Sequence, residues 1–236
     1  MVRVLVTRPE PGATATARRL AAAGHEPILL PLSETRALPA ALPPPDAVDV
    51  VAVTSANALR HLPAVPAALL ARPCYAVGGR TAQAARGAGF GDVRAAAGDG
   101  AALAAMIAGA EPAGATVLYL CGRIRRPEFE HALGQAGFAV RCAELYDTVF
   151  VEPGRGAAAL GPDRRPIDAV LLYSPETARA MAGVMATDGA DSRFGGAAFL
   201  CLSARVAAAL GTVGRARTYV AVEPTEDALL ALLPSG

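Results

Sequence analysis

The sequence predicts an α/β protein whose doubly wound parallel sheets carry helices on both faces, in two homologous halves. Short apolar runs alternate with stretches of helical period, the strand-like runs are apolar on both faces, and segments recur in order at about half the 236-residue length. Val4-Leu5-Val6 makes the first strand and leads into a helix ending at Leu20-Ala-Ala-Ala-Gly24, where glycine accepts the left-handed stop. Residues 28–32 form the next strand. The alternation continues with a strand at 50–53 and a helix at 55–62, a strand at 74–77 and a helix at 81–88, then a strand near 93–97 and a helix from Ala101. Two proline-rich stretches, 37–45 and 151–166, break the pattern at equivalent points and read as linkers or surface loops.

The repeat rests on collinear segment pairs. Asp49-Val-Val-Ala-Val-Thr-Ser-Ala-Asn-Ala-Leu-Arg60 aligns without a gap on Asp168-Ala-Val-Leu-Leu-Tyr-Ser-Pro-Glu-Thr-Ala-Arg179. Residues 23–35 align likewise on 136–148, residues 74–82 on 199–207, and residues 101–107 on 227–233. One match in an alanine-rich chain is weak, whereas several in one order indicate duplication.

With 53% hydrophobic residues the chain can fill one large or two medium cores, which excludes a disordered protein. The longest apolar runs, 101–108 and 228–233, fall well short of the roughly 20 residues of a membrane helix. The amino terminus reads as a strand without a signal-peptide pattern, so a cytoplasmic location is expected. A formal charge of +1 gives no global attraction for nucleic acid or an anionic membrane. Every basic residue is Arg, whose planar fork pairs well with carboxylates. The four cysteines, Cys74, Cys121, Cys142 and Cys201, form no CxxC pair and read as small buried hydrophobes. The three histidines, His25, His61 and His131, have no ligand spacing and read as helix-surface or helix-end residues, so no metal site is expected.

In open parallel sheets, ligands bind beyond the carboxyl ends of the strands. The residues at those ends are Thr7-Arg8, Thr54-Ser55-Ala56, Gly78-Gly79-Arg80-Thr81, Gly122-Arg123, Ser174-Pro175-Glu176, Ser203-Ala204-Arg205 and Thr225-Glu226-Asp227. Ser and Thr there cap helices with or without a ligand. The charge of the first turn separates the two roles, because a helix start that already faces its own acids is a poor anion site. The acid-free starts at Ser55, Arg80 and Ser203 are the anion-binding candidates, and Arg8, Arg80, Arg123 and Arg205 would form a basic rim for carboxylates. There is no GxGxxG after a strand, no GxxxxGK[ST] and no GxSxG, and no His, Cys or paired carboxylate stands in a nucleophile-and-base pattern.

Seven short segments carry a resemblance to uroporphyrinogen-III synthase over essentially the whole chain. They are Leu5-Val-Thr-Arg-Pro-Glu10, Thr54-Ser-Ala-Asn-Ala58, Ala76-Val-Gly-Gly-Arg-Thr-Ala82, Leu118-Tyr-Leu-Cys-Gly-Arg123, Glu144-Leu-Tyr-Asp-Thr148, Tyr173-Ser-Pro-Glu-Thr-Ala178 and Ala221-Val-Glu-Pro-Thr225. The resemblance implies a cyclising hydro-lyase of tetrapyrrole biosynthesis. It would convert hydroxymethylbilane, with an acetate and a propionate on each pyrrole, into uroporphyrinogen III, inverting ring D and releasing water without a cofactor. It also implies two flavodoxin-like domains joined by two linker strands with a cleft between them, one domain of residues 1–34 and 152–236 and the other of 37–149. The repeat and the periodicity fit a simple tandem arrangement equally well. The family's cleft tyrosine is similar to Tyr146, whose hydroxyl would help the substrate hydroxyl leave, and its hydroxyl positions fall on Thr81, Ser55 and Ser174. The chain departs at Ser203-Ala204-Arg205-Val206, where a hydroxyl expected near Val206 is missing. The expected partner is the small-molecule substrate alone, bound by a monomer. A two-lobed α/β module that binds an anionic small molecule without catalysis shares these features; Tyr146 and isomer-specific product formation separate the two readings. A signalling α/β domain would need an acidic phosphoacceptor cluster at the strand ends, which the sequence lacks.

Overall fold

The computed structural model describes residues 1–163, 165–187, 191–211 and 217–234. Its strands are β1 (Arg3–Val6), β2 (Glu26–Leu29), β3 (Ser33–Ala37), β4 (Val50–Val53), β5 (Cys74–Val77), β6 (Val93–Ala96), β7 (Thr116–Gly122), β8 (Ala139–Phe150), β9 (Ala169–Leu172), β10 (Ala198–Cys201) and β11 (Thr218–Val220). The helices are α1 (Gly12–Ala22), α2 (Ala56–Arg60), α3 (Ala67–Leu70), α4 (Gly78–Gly87), α5 (Gly100–Ala110), α6 (Glu128–Gln135), α7 (Pro153–Ala159), α8 (Pro175–Met185), α9 (Asp191–Phe194), α10 (Ala204–Ala209) and α11 (Glu226–Leu230). Among the described residues no helix is long and apolar enough to cross a membrane.

The strands form two sheets, ordered β11-β10-β9-β1-β2 and β3-β8-β7-β4-β5-β6. Pairing is parallel throughout the first sheet and from β8 to β6 in the second. The chain divides into two compact units, Met1–Glu34 with Val149–Gly236, and Thr35–Thr148. It passes from one to the other within β3 and again near the end of β8.

In the first unit, β1 pairs with β2 on one side and with β9 on the other, Leu5 standing opposite Ile28 and Val170. Leu5, Val170, Leu172, Phe199 and Met181 pack into one buried cluster between sheet and helices, and Val4, Val6 and Leu171 pack on the opposite face. Burial on both faces is why these strands read as unbroken apolar runs. Numbered in chain order within the unit, the sheet runs 2-1-3-4-5, the flavodoxin-like order.

The second sheet keeps this spatial order in β8-β7-β4-β5-β6, with β3 added beside β8 and the chain entering at a different strand. Its centre is β4, whose residues Val50, Val51, Ala52 and Val53 are all fully buried. Duplication is visible atom by atom at the strand starts. Asp49 accepts from Thr116 N at 2.8 Å through Oδ2 and donates its own N–H to Thr116 O at 3.0 Å. Asp168, its equivalent in the repeat, makes the same pair of contacts with Arg3, at 2.8 Å and 3.0 Å. Gly24 and Gly137, also equivalent, both end their helices with positive φ, 81° and 85°.

Several boundaries differ from the sequence expectation. The strand expected at 28–32 is β2, which ends at Leu29, and a separate β3 follows. The helix after β4 ends at Arg60, because the dipeptide Leu62-Pro63 disfavours a helical turn there. Helix α4 starts at Gly78, three residues earlier than expected, since its φ of 72° turns the chain directly out of β5. The stretch 151–166, read as a loop, contains α7. Pro153 fits the first helical turn, and Gly156 lets the helix approach α8, where a Cβ would come within 2.7 Å of Val184 Cγ2. Cys74, Cys121 and Cys201 are buried as expected, but Cys142 is exposed: β8 carries it on the sheet margin, where its thiol donates to Glu130 at 3.2 Å.

Candidate functional site

Within the unit of residues 35–148, the connections after β4, β5 and β7 carry the expected residues. Thr54 follows β4 and is hydrogen-bonded through its hydroxyl to Tyr119 Oη at 2.7 Å. Burial pushes the Tyr119 phenol up to about 12, so it remains neutral. Ser55 is a helix cap, accepting from Asn57 N at 3.2 Å; Ala56 begins the five-residue α2, whose first turn has no acid. At the start of the ten-residue α4 the backbone is open. No side chain caps it, its first turn has no acid, and a Cβ on Gly78 or Gly79 would meet nothing within 4 Å. Unsatisfied amides with a favourable helix dipole result. Arg80 is exposed and has no carboxylate partner among the described residues. Thr81, one position on, is only 6% exposed.

Tyr146 lies on β8 with 8% of its surface exposed. Its ring occupies the space that a side chain on Gly122 would fill, since a Cβ there would come within 2.6 Å of Cζ and 2.9 Å of Oη. The His61 ring stacks on it with centroids 5.8 Å apart and planes 30° apart. His61 is fixed in turn by a 2.8 Å hydrogen bond between Nε2 and Thr35 Oγ1. Burial, aided by the Arg60 charge, lowers the His61 pKa and favours a neutral ring. The Tyr146 hydroxyl has no hydrogen-bond partner among the described residues. Arg123 follows Gly122 but is drawn to Asp147 at 3.1 Å and Glu144 at 3.6 Å, so it is only partly available.

Within the unit of residues 1–34 and 149–236, the expected groups divide differently. Arg8 is not free: Nη1 lies 2.9 Å from Glu226 Oε1, and the guanidinium sits 4.5 Å from the centroid of the Tyr173 ring. Glu226 also accepts from Thr16 and Tyr173 and pairs with Arg19 at 3.1 Å. Burial raises the Glu226 pKa, but the Thr16 hydrogen bond and the neighbouring arginines outweigh it and lower the net value. Ser174 is a cap, accepting from Thr177 N at 3.1 Å at the start of α8, which carries Glu176 in its first turn. Ser203 makes no cap hydrogen bond although it stands at the start of the six-residue α10. Arg205 beside it is exposed and has no carboxylate partner among the described residues. Val206, where a hydroxyl is missing, is 2% exposed and packs into the apolar cluster with Phe199 and Leu210.

The arginines thus separate by repeat position. Arg8 and Arg123, which follow β1 and β7, are held by acids; Arg80 and Arg205, which follow β5 and β10, are open. Sequence reasoning missed the acids, which are distant or on the neighbouring strand, and missed the His61 stack, for which a lone histidine gives no signal. Among the described residues no cluster of His, Cys, Asp and Glu is arranged to hold a metal ion.

The Glu226 network implies a pH dependence of stability. With a folded pKa below the ordinary 4.5, its contribution is present above that value and is lost as pH falls through the lowered folded value. Glu226→Gln should lower stability at pH 7 by about 1.5–3 kcal/mol, the range for hydrogen bonds to a charged group. The variant should also lose less stability than the parent on acidification below about pH 4.5. Melting curves of both proteins between neutral and acid pH check this.

A family model described as uroporphyrinogen-III synthase HemD matches residues 14–231. Uroporphyrinogen-III synthetase from Helicobacter pylori 26695 is similar over 98% of this chain and 98% of its own, at 18% identity and a TM-score of 0.66. A mutant uroporphyrinogen III synthase from the extremely thermophilic bacterium Thermus thermophilus is similar over 98% of this chain and 96% of its own, at 20% identity and a TM-score of 0.53. At these identities the two structures bear on the fold alone. No curated protein sequence matches the chain.

Proposed function

Because this chain belongs to the uroporphyrinogen-III synthase family, we propose that it cyclises hydroxymethylbilane to uroporphyrinogen III, acting as a cytoplasmic monomeric hydro-lyase without metal or cofactor. The observation that carries this reading is Tyr146: a ring wedged over Gly122 and stacked on His61, with an uncommitted hydroxyl.

The phenol donates its proton to the departing substrate hydroxyl; the C–O bond breaks, water leaves, and the remaining cation is delocalised onto the pyrrole nitrogen. Inversion of ring D requires the cation to bond first to the already substituted α-carbon of that ring. The bond from this carbon to its former methylene then breaks, leaving a second delocalised cation. Closure of that cation at the free α-carbon of ring D releases a proton, which restores the phenol. Neutral His61 suits this role, because a cationic ring stacked on Tyr146 would oppose a cationic intermediate. Recognition of the substrate carboxylates falls to the open amides at Gly79 and Arg80, to the Arg80 and Arg205 guanidinium groups, and to the uncommitted Ser203 hydroxyl. Ser55 and Ser174 contribute chiefly by capping α2 and α8, and Thr54 by its hydrogen bond to Tyr119. Arg8 and Arg123 take part to the extent that substrate carboxylates displace Glu226 and Asp147.

The chain's own donors argue against a metal requirement, since Cys74 and Cys201 are buried within strands and the histidines are dispersed. Consumption of hydroxymethylbilane should persist after exhaustive dialysis against a chelator. Activity lost on chelation and restored by a divalent ion would contradict the proposal.

A further inference from the structure

The connection from β7 to α6, Arg123-Ile124-Arg125-Arg126-Pro127, has an unusual distribution of partners. Arg125 folds back and staples it. Its Nη1 donates to the carbonyls of Gly122 and Arg123, both at 3.3 Å, and to Glu144 Oε1 at 2.7 Å; its Nε donates to Glu130 Oε1 at 2.6 Å. The hydrogen bond with Glu130 raises the Arg125 pKa further, so the staple stays charged. Between the stapled positions Ile124 is held outward, 58% exposed. In the unit of residues 35–148 the only other exposed large hydrophobic side chain among the described residues is Met106, on α5. Arg126 is exposed and has no acidic partner among the described residues, unlike Arg123 and Arg125. The connection also begins at the candidate tyrosine, for Arg123 N donates to Tyr146 O at 2.8 Å.

A rigid loop that offers one aliphatic side chain and one unpaired guanidinium suits a flat apolar ring with an anionic arm. We propose that this loop is a substrate platform, in which Ile124 covers the face of a pyrrole ring and Arg126 binds a carboxylate of that ring. The proposal rests on the reaction assigned above. Neither residue belongs to the proton-transfer step, so the effect of changing them falls on binding.

The test uses two readouts on the full chain: steady-state turnover of hydroxymethylbilane, and binding of uroporphyrin, a macrocycle carrying the same side chains, followed by its own fluorescence. Ile124→Ser and Arg126→Gln should each raise KM and weaken uroporphyrin binding roughly tenfold while kcat changes little. Met106→Ser, the control for a general loss of surface hydrophobicity, should leave both unchanged. If the loop variants bind uroporphyrin and use substrate as the parent does, or if Met106→Ser weakens both equally, the platform is wrong. If the parent binds uroporphyrin tightly and the loop variants do not, the platform stands even where the parent fails to turn over hydroxymethylbilane, a result that would overturn the reaction alone.

Discussion

Tyr146→Phe is expected to slow formation of the inverted product by roughly hundredfold or more, the scale of a lost general acid, without lowering the melting temperature. The expectation follows from what surrounds the ring. Its packing against Gly122 and His61 involves carbon atoms that phenylalanine keeps, and its hydroxyl has no protein partner to lose among the described residues. A purely structural tyrosine would give the opposite pattern, little change in rate and, if anything, a change in stability. Gly122→Ala supplies an independent arm, since its Cβ would stand 2.6 Å from Tyr146 Cζ and must displace the ring. Its activity should fall although the phenol is still present. Steady-state rates beside melting curves check both variants, and unchanged turnover in Tyr146→Phe would reduce Tyr146 to a packing residue.

Leu5→Ala should have the largest effect on stability. Leu5 is fully buried, stands opposite Val170 of β9 and packs with Phe199 of β10, far along the chain. Truncating such a leucine leaves a cavity and costs about 2–5 kcal/mol. Because β1 belongs to the sheet of β9 and β10, hydrogen exchange should accelerate for amides of those strands while β4, β5 and β7 keep their protection. Accelerated exchange in β4 and β5, with β9 unaffected, would be the outcome for a tandem arrangement.

The residues that were legible in the sequence are those whose environment is encoded locally. Val50 to Val53 and Cys74 to Val77 are apolar on both faces, which only a buried parallel strand requires, and both were found at their observed boundaries. Gly24 marked a helix end because its backbone needs a positive φ. Helix α7 was missed because proline and glycine usually signal a loop, whereas here Pro153 begins the helix and Gly156 makes room for Val184. The repeat showed that β4 and β9 are equivalent, but it carries no information on which strand each pairs with; the contacts of Asp49 with Thr116 and of Asp168 with Arg3 are what decide it. In the candidate site, residue types and strand-end positions were legible, yet which arginines are open was not. Arg8 meets its acid 218 positions along the chain, and such a pairing has no local signature. Cys142 was misjudged for a related reason, since its strand is partly buried but its own position lies at the margin.

The reaction itself is tested most directly by incubating the purified chain with hydroxymethylbilane and resolving the cyclic products by isomer, beside a protein-free control. A product dominated by the isomer with ring D inverted, formed faster than in the control, is the expected result. Substrate consumed no faster than in the control, or closed only to the uninverted isomer, would contradict the assignment.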